Sequence, residues 1–306
     1  MKYFLSFLFY LCTYQHVCAQ TAPDISIYML GITQDGGYPH AGCEKPCCAP
    51  AWKIDSLRRN VVSFALMDYK SNKWWLFEIT PDLRFQLNLF HRTHPNFNYL
   101  PDGIFITHAH IGHYSGLLQL GKEVMNTKGI PVYILPKMAD FLEKNGPWNQ
   151  LITINNIIIH RLSITEPLIL NNDISIISFT VPHRDEYSET AGFKIITPFK
   201  KYLFIPDINK WEKWNKNIVD EVAQVDIALL DATFYNTDEL PNRNIQDVPH
   251  PTVKSTMMLF SSKSKDIKSK IYFIHMNHTN PLLWDPATQI EVYKNGFNFA
   301  RQGMTL

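Results

Sequence analysis

Thr107-His108-Ala109-His110-Ile111-Gly112-His113 follows the apolar run Ile104-Phe105-Ile106 and leads into Tyr114-Ser115-Gly116-Leu117-Leu118. The pattern reads as a strand, a histidine-rich turn and the start of a helix. Three imidazoles in six positions at a strand end suit metal holding. Neutral imidazole is the commonest protein metal ligand, and a strand end aims a ligand from a rigid base. Further candidates follow other apolar runs: His183 after Ile174–Val181, Asp207 after Lys201–Ile205, and His275 after Lys270–Ile274.

The chain has 306 residues, enough for one large domain or two small ones. Net charge is +1 with 19% charged residues, so no strong nucleic-acid or anionic-membrane field is implied. Residues 1–19 read as a secretory signal peptide, with Lys2 at its start, an apolar run Tyr3–Leu11, and Val17-Cys18-Ala19 before Gln20. An uncleaved N-terminal anchor is the alternative. The run is too short to span a bilayer comfortably. The expectation is an exported protein, periplasmic or extracellular, with one domain over 20–306 and no membrane span. Oligomeric state is not readable.

Past the signal, Cys43, Cys47 and Cys48 lie in His40-Ala41-Gly42-Cys43-Glu44-Lys45-Pro46-Cys47-Cys48. A disulfide would leave one thiol over. Three thiolates with His40 would instead complete a tetrahedral zinc site. Upstream, Ile25–Leu30 alternates like a strand, and Asp35-Gly36-Gly37 reads as a turn.

Val61–Tyr69 and Trp74–Thr80, separated by Lys70-Ser71-Asn72-Lys73, read as a hairpin. Helices are expected at Leu83–His91, Leu117–Met125, Ala139–Lys144 and Val253–Phe260, and strands at Ile130–Leu135, Leu151–Ile159 and Leu168–Leu170. Helices alternating with strands in the first half predict helices packed on sheet faces. Asp185, Glu186 and Glu189 follow His183 and read as a metal carboxylate, a proton carrier or a solvated loop.

The metal turn resembles the HxHxDH motif of the metallo-β-lactamase superfamily, with Gly112 at the aspartate position. The opening strand and glycine-cysteine loop, the Asp231-Ala232-Thr233 segment and His275-Met276-Asn277-His278-Thr279-Asn280-Pro281 resemble phosphodiesterases of that superfamily and pyrroloquinoline quinone biosynthesis protein B. The latter's metal turn differs, lacking the first two histidines and keeping the aspartate. The resemblance implies a four-layer αββα sandwich, each half of the chain supplying one sheet. It implies His108, His110 and His183 at a first metal, His113 and His275 at a second, and Asp207 bridging them. Glu78 or Asp82 would brace the metal turn, and Asp231 would stand behind the ligands. His250 would reach the pocket or lie on the surface.

With glycine at 112, the second metal would bind weakly or take Asp185, Glu189 or His278 as a replacement ligand. Such donors around a divalent cation can lower the pKa of water to around 7. The expectation is therefore a hydrolase of a small-molecule ester, lactone, amide or phosphodiester, using one or two Zn2+ ions, with Fe or Mn as alternatives and Asp207 and Glu189 as its catalytic acids. An iron-dependent redox enzyme and a non-catalytic metal-binding protein are the competing readings. Specificity would lie in loops near Trp148 and Trp211.

Overall fold

The computed structural model describes residues 24–240 and 248–306, and the leader-like stretch 1–19 lies outside them. Apolar runs of the first half pair, in chain order, into a six-stranded sheet: β1 (Ile25–Gly31), β2 (Ser63–Asp68), β3 (Lys73–Phe77), β4 (Gly103–Phe105), β5 (Ile130–Ile134) and β6 (Ile157–Arg161). β1 to β3 are antiparallel, and β3 to β6 are parallel. The second half forms a seven-stranded sheet from β7 (Leu168–Ile169), β8 (Ser175–Val181), β9 (Thr190–Ile196), β10 (Lys201–Ile205), β11 (Ile227–Asp231), β12 (Ile271–Ile274) and β13 (Asn298–Phe299). Here β7 to β10 are antiparallel and β10 to β13 parallel.

The period of two along β3 sorts its side chains between two interiors. Trp75 and Phe77 join the core between the sheets, while Trp74 and Leu76 face the helices. Phe77 stacks on Phe64 and Phe105, each at 4.5 Å between ring centroids, and meets Phe193 of the other sheet edge-on at 5.6 Å. On the outer face, Trp74 stacks on Phe90 of the helix Leu83–Thr93 at 4.2 Å. The helix Pro136–Lys144 adds Met138 and Leu142 to that layer. Behind the second sheet, helices Ile218–Ala223, Val253–Leu259 and Pro286–Lys294 contribute Val222, Met257 and Val292. The architecture is a four-layer αββα sandwich.

Two expected elements differ. The stretch read as a helix over 117–125 is a 3-10 helix, Ser115–Leu120, followed by turns. Gly121 sits at its end in extended conformation and stops it. The stretch read as a strand over 151–159 begins as the helix Trp148–Thr153, and only Ile157–Arg161 is extended. Leu151 is buried among the helices of the outer layer. No helix among the described residues is long and apolar enough to cross a membrane.

Strand direction sets where the site forms. β1 and β3 point the same way, as do β8 and β10, because each pair is separated by one antiparallel neighbour. The C-terminal ends of β1, β3 and β4 thus share one edge of the first sheet. Those of β8, β10, β11 and β12 share one edge of the second. Open sheets place ligand sites at such ends.

Candidate metal centre

The metal turn is built onto the end of β4 and tied to both sheets. Ile79 N–H donates to the His113 carbonyl at 3.0 Å, and Gly116 N–H to the Ile79 carbonyl at 3.0 Å. From the second sheet, Ala191 N–H donates to the Thr107 carbonyl, and Ser188 Oγ accepts from Ala109 N–H, both at 2.9 Å. Ring directions are therefore fixed by backbone on two sides.

Four of these side chains converge at one point. His108 Nε2 lies 2.8 Å from His110 Nδ1, which lies 3.2 Å from His183 Nε2. Asp207 Oδ2 is 3.1 Å from His183 Nε2 and 3.5 Å from His108 Nε2. His108, His183 and Asp207 are buried. Imidazole lone pairs repel at such distances unless a proton or cation stands among them. Burial pulls the pKa of His108 well below its ordinary value, which favours the neutral, ligating form.

A second group shares Asp207. His113 Nε2 and His275 Nε2 are each 3.9 Å from Asp207 Oδ2, and His113 Nε2 is 3.4 Å from Asp35 Oδ1. His113 Nε2, His275 Nε2 and Asp35 Oδ1 are buried atoms with no hydrogen-bond partner. Buried polar atoms are almost always paired, so orphans aimed at one another fit a cation. Imidazole and carboxylate donors suit Zn2+, Fe2+ or Mn2+.

Outer partners orient these ligands. Glu78 Oε2 lies 3.5 Å from His113 Nδ1 and accepts the Thr107 N–H at 3.4 Å. Burial works against charge on His113, but Glu78 and Asp35 outweigh it and hold its pKa well above the ordinary value. Thr233 Oγ1 is 2.9 Å from His275 Nδ1 and donates to Asp231 Oδ1 at 2.8 Å. His250 Nδ1 sits between Asp207 Oδ1 at 3.1 Å and Asp231 Oδ2 at 3.0 Å. Against burial, those carboxylates push the pKa of His250 up to about 10. Glu186 Oε2 lies 3.1 Å from His110 Nε2. Glu78 and His275 both have left-handed backbones, at φ 66° and 60°. Strain at non-glycine positions concentrates at functional sites.

The cysteines form a separate group. Cys43, Cys47 and Cys48 are free thiols, and their fourth neighbour is His278, not His40. His278 Nδ1 lies 3.4 Å from Cys48 Sγ and 3.6 Å from Cys47 Sγ. His40 is turned away, with Nδ1 at 2.9 Å from the Ala41 carbonyl, and its ring packs on that of His278. Burial pushes the Cys48 thiol up to about 12. Burial, with His40 and Lys45 nearby, pulls His278 down to about 4.

Several expected participants lie elsewhere. Glu189 is drawn off by the helix Pro136–Lys144: its Oε1 accepts the Lys137 N–H at 3.0 Å, and it joins no metal-capable group among the described residues. Asp185 accepts from Thr190 Oγ1, and Asp82 accepts the Val61 N–H. Trp148 packs against Tyr114 and Phe141 in the outer layer. Trp211 lines a cavity of about 600 Å³ beside His250. Asp35, read as part of a turn, stands at the centre.

A family profile described as a beta-lactamase superfamily domain matches residues 73–276. The coenzyme PQQ synthesis protein B of Methylorubrum extorquens strain PA1 is 23% identical over 308 residues, spanning 92% of this chain and 99% of the relative. That of Gluconobacter oxydans strain 621H is 24% identical, over 92% and 98%. The zinc-bound crystal structure of PqqB from Methylobacterium extorquens superposes with a TM-score of 0.76 at 20% identity, over 92% of this chain and 99% of that one. A diphosphatase of the PhnP family superposes with a TM-score of 0.66 at 21% identity, over 92% and 96%. The chain belongs to the beta-lactamase superfamily and has the metallo-β-lactamase fold.

Proposed function

We propose that the protein is a metal-dependent hydrolase of a small-molecule ester, with phosphoric esters ahead of carboxylic esters, lactones and amides. The observation that carries this reading is that two donor groups, His108 with His110 and His183, and Asp35 with His113 and His275, flank Asp207 at the strand-end edge. His108, His110 and His183 with Asp207 would hold one cation, and His113, His275 and Asp35 with Asp207 a second. A bound divalent cation supplies an acidified water and polarises the bond to be cut.

The chain's own residues do the rest. Glu186 and Glu78 keep His110 and His113 oriented. Asp207 and Asp231 hold His250 by Nδ1, which leaves its Nε2 as the remaining nitrogen. His250 lines the cavity with Lys210, Trp211, Trp214 and Lys216, so it is placed to give a proton to a leaving oxygen. Lysines and aromatic rings on that wall suit an anionic ester with an apolar group. The diphosphatase among the fold neighbours agrees with that preference.

The test is turnover of bis(p-nitrophenyl) phosphate, p-nitrophenyl butyrate and a γ-lactone by wild-type protein and His110→Ala. Loss of turnover in the variant is expected, and an unchanged rate would refute the proposal. Elemental mass spectrometry on the same preparation addresses the competing reading, since iron with dioxygen consumption would replace hydrolysis by redox chemistry. The leader-like residues 1–19 support export, which cell fractionation tests.

A further inference from the structure

The metal turn has glycine where a carboxylate would stand, and the space that carboxylate would fill is taken. A Cβ built on Gly112 would lie 2.0 Å from Asp35 Oδ1, 2.7 Å from Asp35 Cα and 2.8 Å from Asp35 Cγ. The backbone of Gly112 is not in the left-handed region, so its conformation does not call for glycine. What the position requires is the absence of a side chain.

Asp35 reaches this space on a braced turn. Thr33 bridges to Val61 beside the first sheet and to Met276 beyond β12. Thr33 Oγ1 donates to the Asn60 carbonyl at 2.9 Å, Gln34 N–H to the Met276 carbonyl at 2.9 Å, and Gly37 N–H to the Gln34 carbonyl at 2.8 Å. Asp35 thereby enters next to His275 and His113, with ligand atoms of all three within 4.8 Å of one another. Its Oδ1 is buried and has no hydrogen bond, as is true of Nε2 on both histidines.

The geometry points to a relocated ligand. Asp35 supplies to the second metal position the carboxylate that the turn lacks, and residue 112 is glycine so that Asp35 can enter. This assignment rests on the centre holding metal, as proposed above, and is independent of the reaction that follows. It also predicts that the two positions cannot both carry a side chain.

The test is a Mn2+ titration followed by electron paramagnetic resonance of the free ion, with thermal unfolding recorded in parallel. Mn2+ is chosen because imidazole and carboxylate donors take it, whereas thiolates favour zinc. Wild-type protein is expected to bind two equivalents. Loss of an outer partner alone weakens metal binding about 10- to 100-fold, so Asp35→Ala, which removes a ligand, should weaken the second equivalent by at least about 100-fold and spare the first. Asp35→Asn keeps the side-chain shape and decides the matter if the alanine variant fails to fold, with an expected loss of at least about tenfold. Two equivalents at unchanged affinity in Asp35→Asn, or one equivalent in wild type, would overturn the assignment. No metal at all would overturn the proposed function with it. Two equivalents that depend on Asp35, in a protein without hydrolytic turnover, would uphold the ligand and remove the hydrolase.

Discussion

Glu78→Gln separates the two metal positions without touching a proposed ligand. Glu78 is fully buried, and Oε2 faces His113 Nδ1 at 3.5 Å while accepting the Thr107 N–H at 3.4 Å. Glutamine preserves the shape and leaves one oxygen to accept from either group. It removes the negative charge that fixes which nitrogen of His113 carries the proton. Outer-partner losses of this kind cost about 10- to 100-fold in metal affinity, or about 1.4–2.8 kcal/mol. The loss should fall on the position served by His113, and the one served by His108, His110 and His183 should change by less than about twofold. Proton competition gives the effect a pH signature. Glu78 raises the pKa of His113, so in wild type a proton must leave Nε2 before metal binds. The glutamine variant gives up that proton more readily, so its deficit should shrink as pH falls and be largest in alkali. Calorimetric titration with Zn2+ from pH 6 to pH 8 measures both quantities. Equal losses at both positions, or a deficit that grows on acidification, would rule out this role of Glu78.

Phe77 is the centre of the contact between sheets, stacked on two rings and meeting Phe193 edge-on. Phe77→Ala should destabilise the fold by about 3–5 kcal/mol, read as a lowered denaturation midpoint. Glu186→Gln should weaken the first metal position, but by less than Glu78→Gln does the second, because Glu186 is 49% exposed and Glu78 0%; the same titration decides it. At the cysteine group, metal binding must expel protons from Cys43, Cys47 and Cys48. Zinc retention there should therefore fall by about two to three powers of ten per pH unit below the thiol pKa values, measured by dialysis across pH 5 to 8. In the metal-free protein, the depressed pKa of His278, about 4, lies below its unfolded value of about 6.5. Its contribution to stability is thus present above pH 6.5 and lost as pH falls through about 4, and His278→Gln should remove that part of the acid sensitivity in urea titrations.

Most ligands readable in the sequence follow an apolar run directly, and His113 is readable by its spacing from His108 and His110. His108, His110, His183, Asp207 and His275 each sit where a strand hands over to a turn, and a period-two pattern ending in a polar residue is a local signal. Asp35 carries no such signal. It lies beyond the end of β1, in a segment whose Asp-Gly-Gly text is that of any turn, and only the bridges of Thr33 bring it to His275. That His278, rather than the expected His40, meets the thiols has a related reason. Nearness along the chain favoured His40, but that ring bonds to its own neighbour's carbonyl, and the loop after β12 delivers His278 from across the sandwich. The acids after His183 looked equivalent in sequence. Their roles diverge because Lys137, Thr190 and His110 each claim a different one.

The dispersal of the ligands along the chain has a consequence for biosynthesis. The proposed second metal position takes Asp35 from the beginning of the described chain and His275 from near its end, while Asp207 would serve both positions from between them. A growing polypeptide that has emerged only as far as β11 contains the whole first sheet and still lacks one ligand of that position. Domains acquire their long-range contacts once the participating segments have been made, and metal affinity here is a property of the docked sheets. On the proposed assignment, the second ion would be loaded only after translation, and ion supply would matter to the finished chain in whichever compartment it completes its folding.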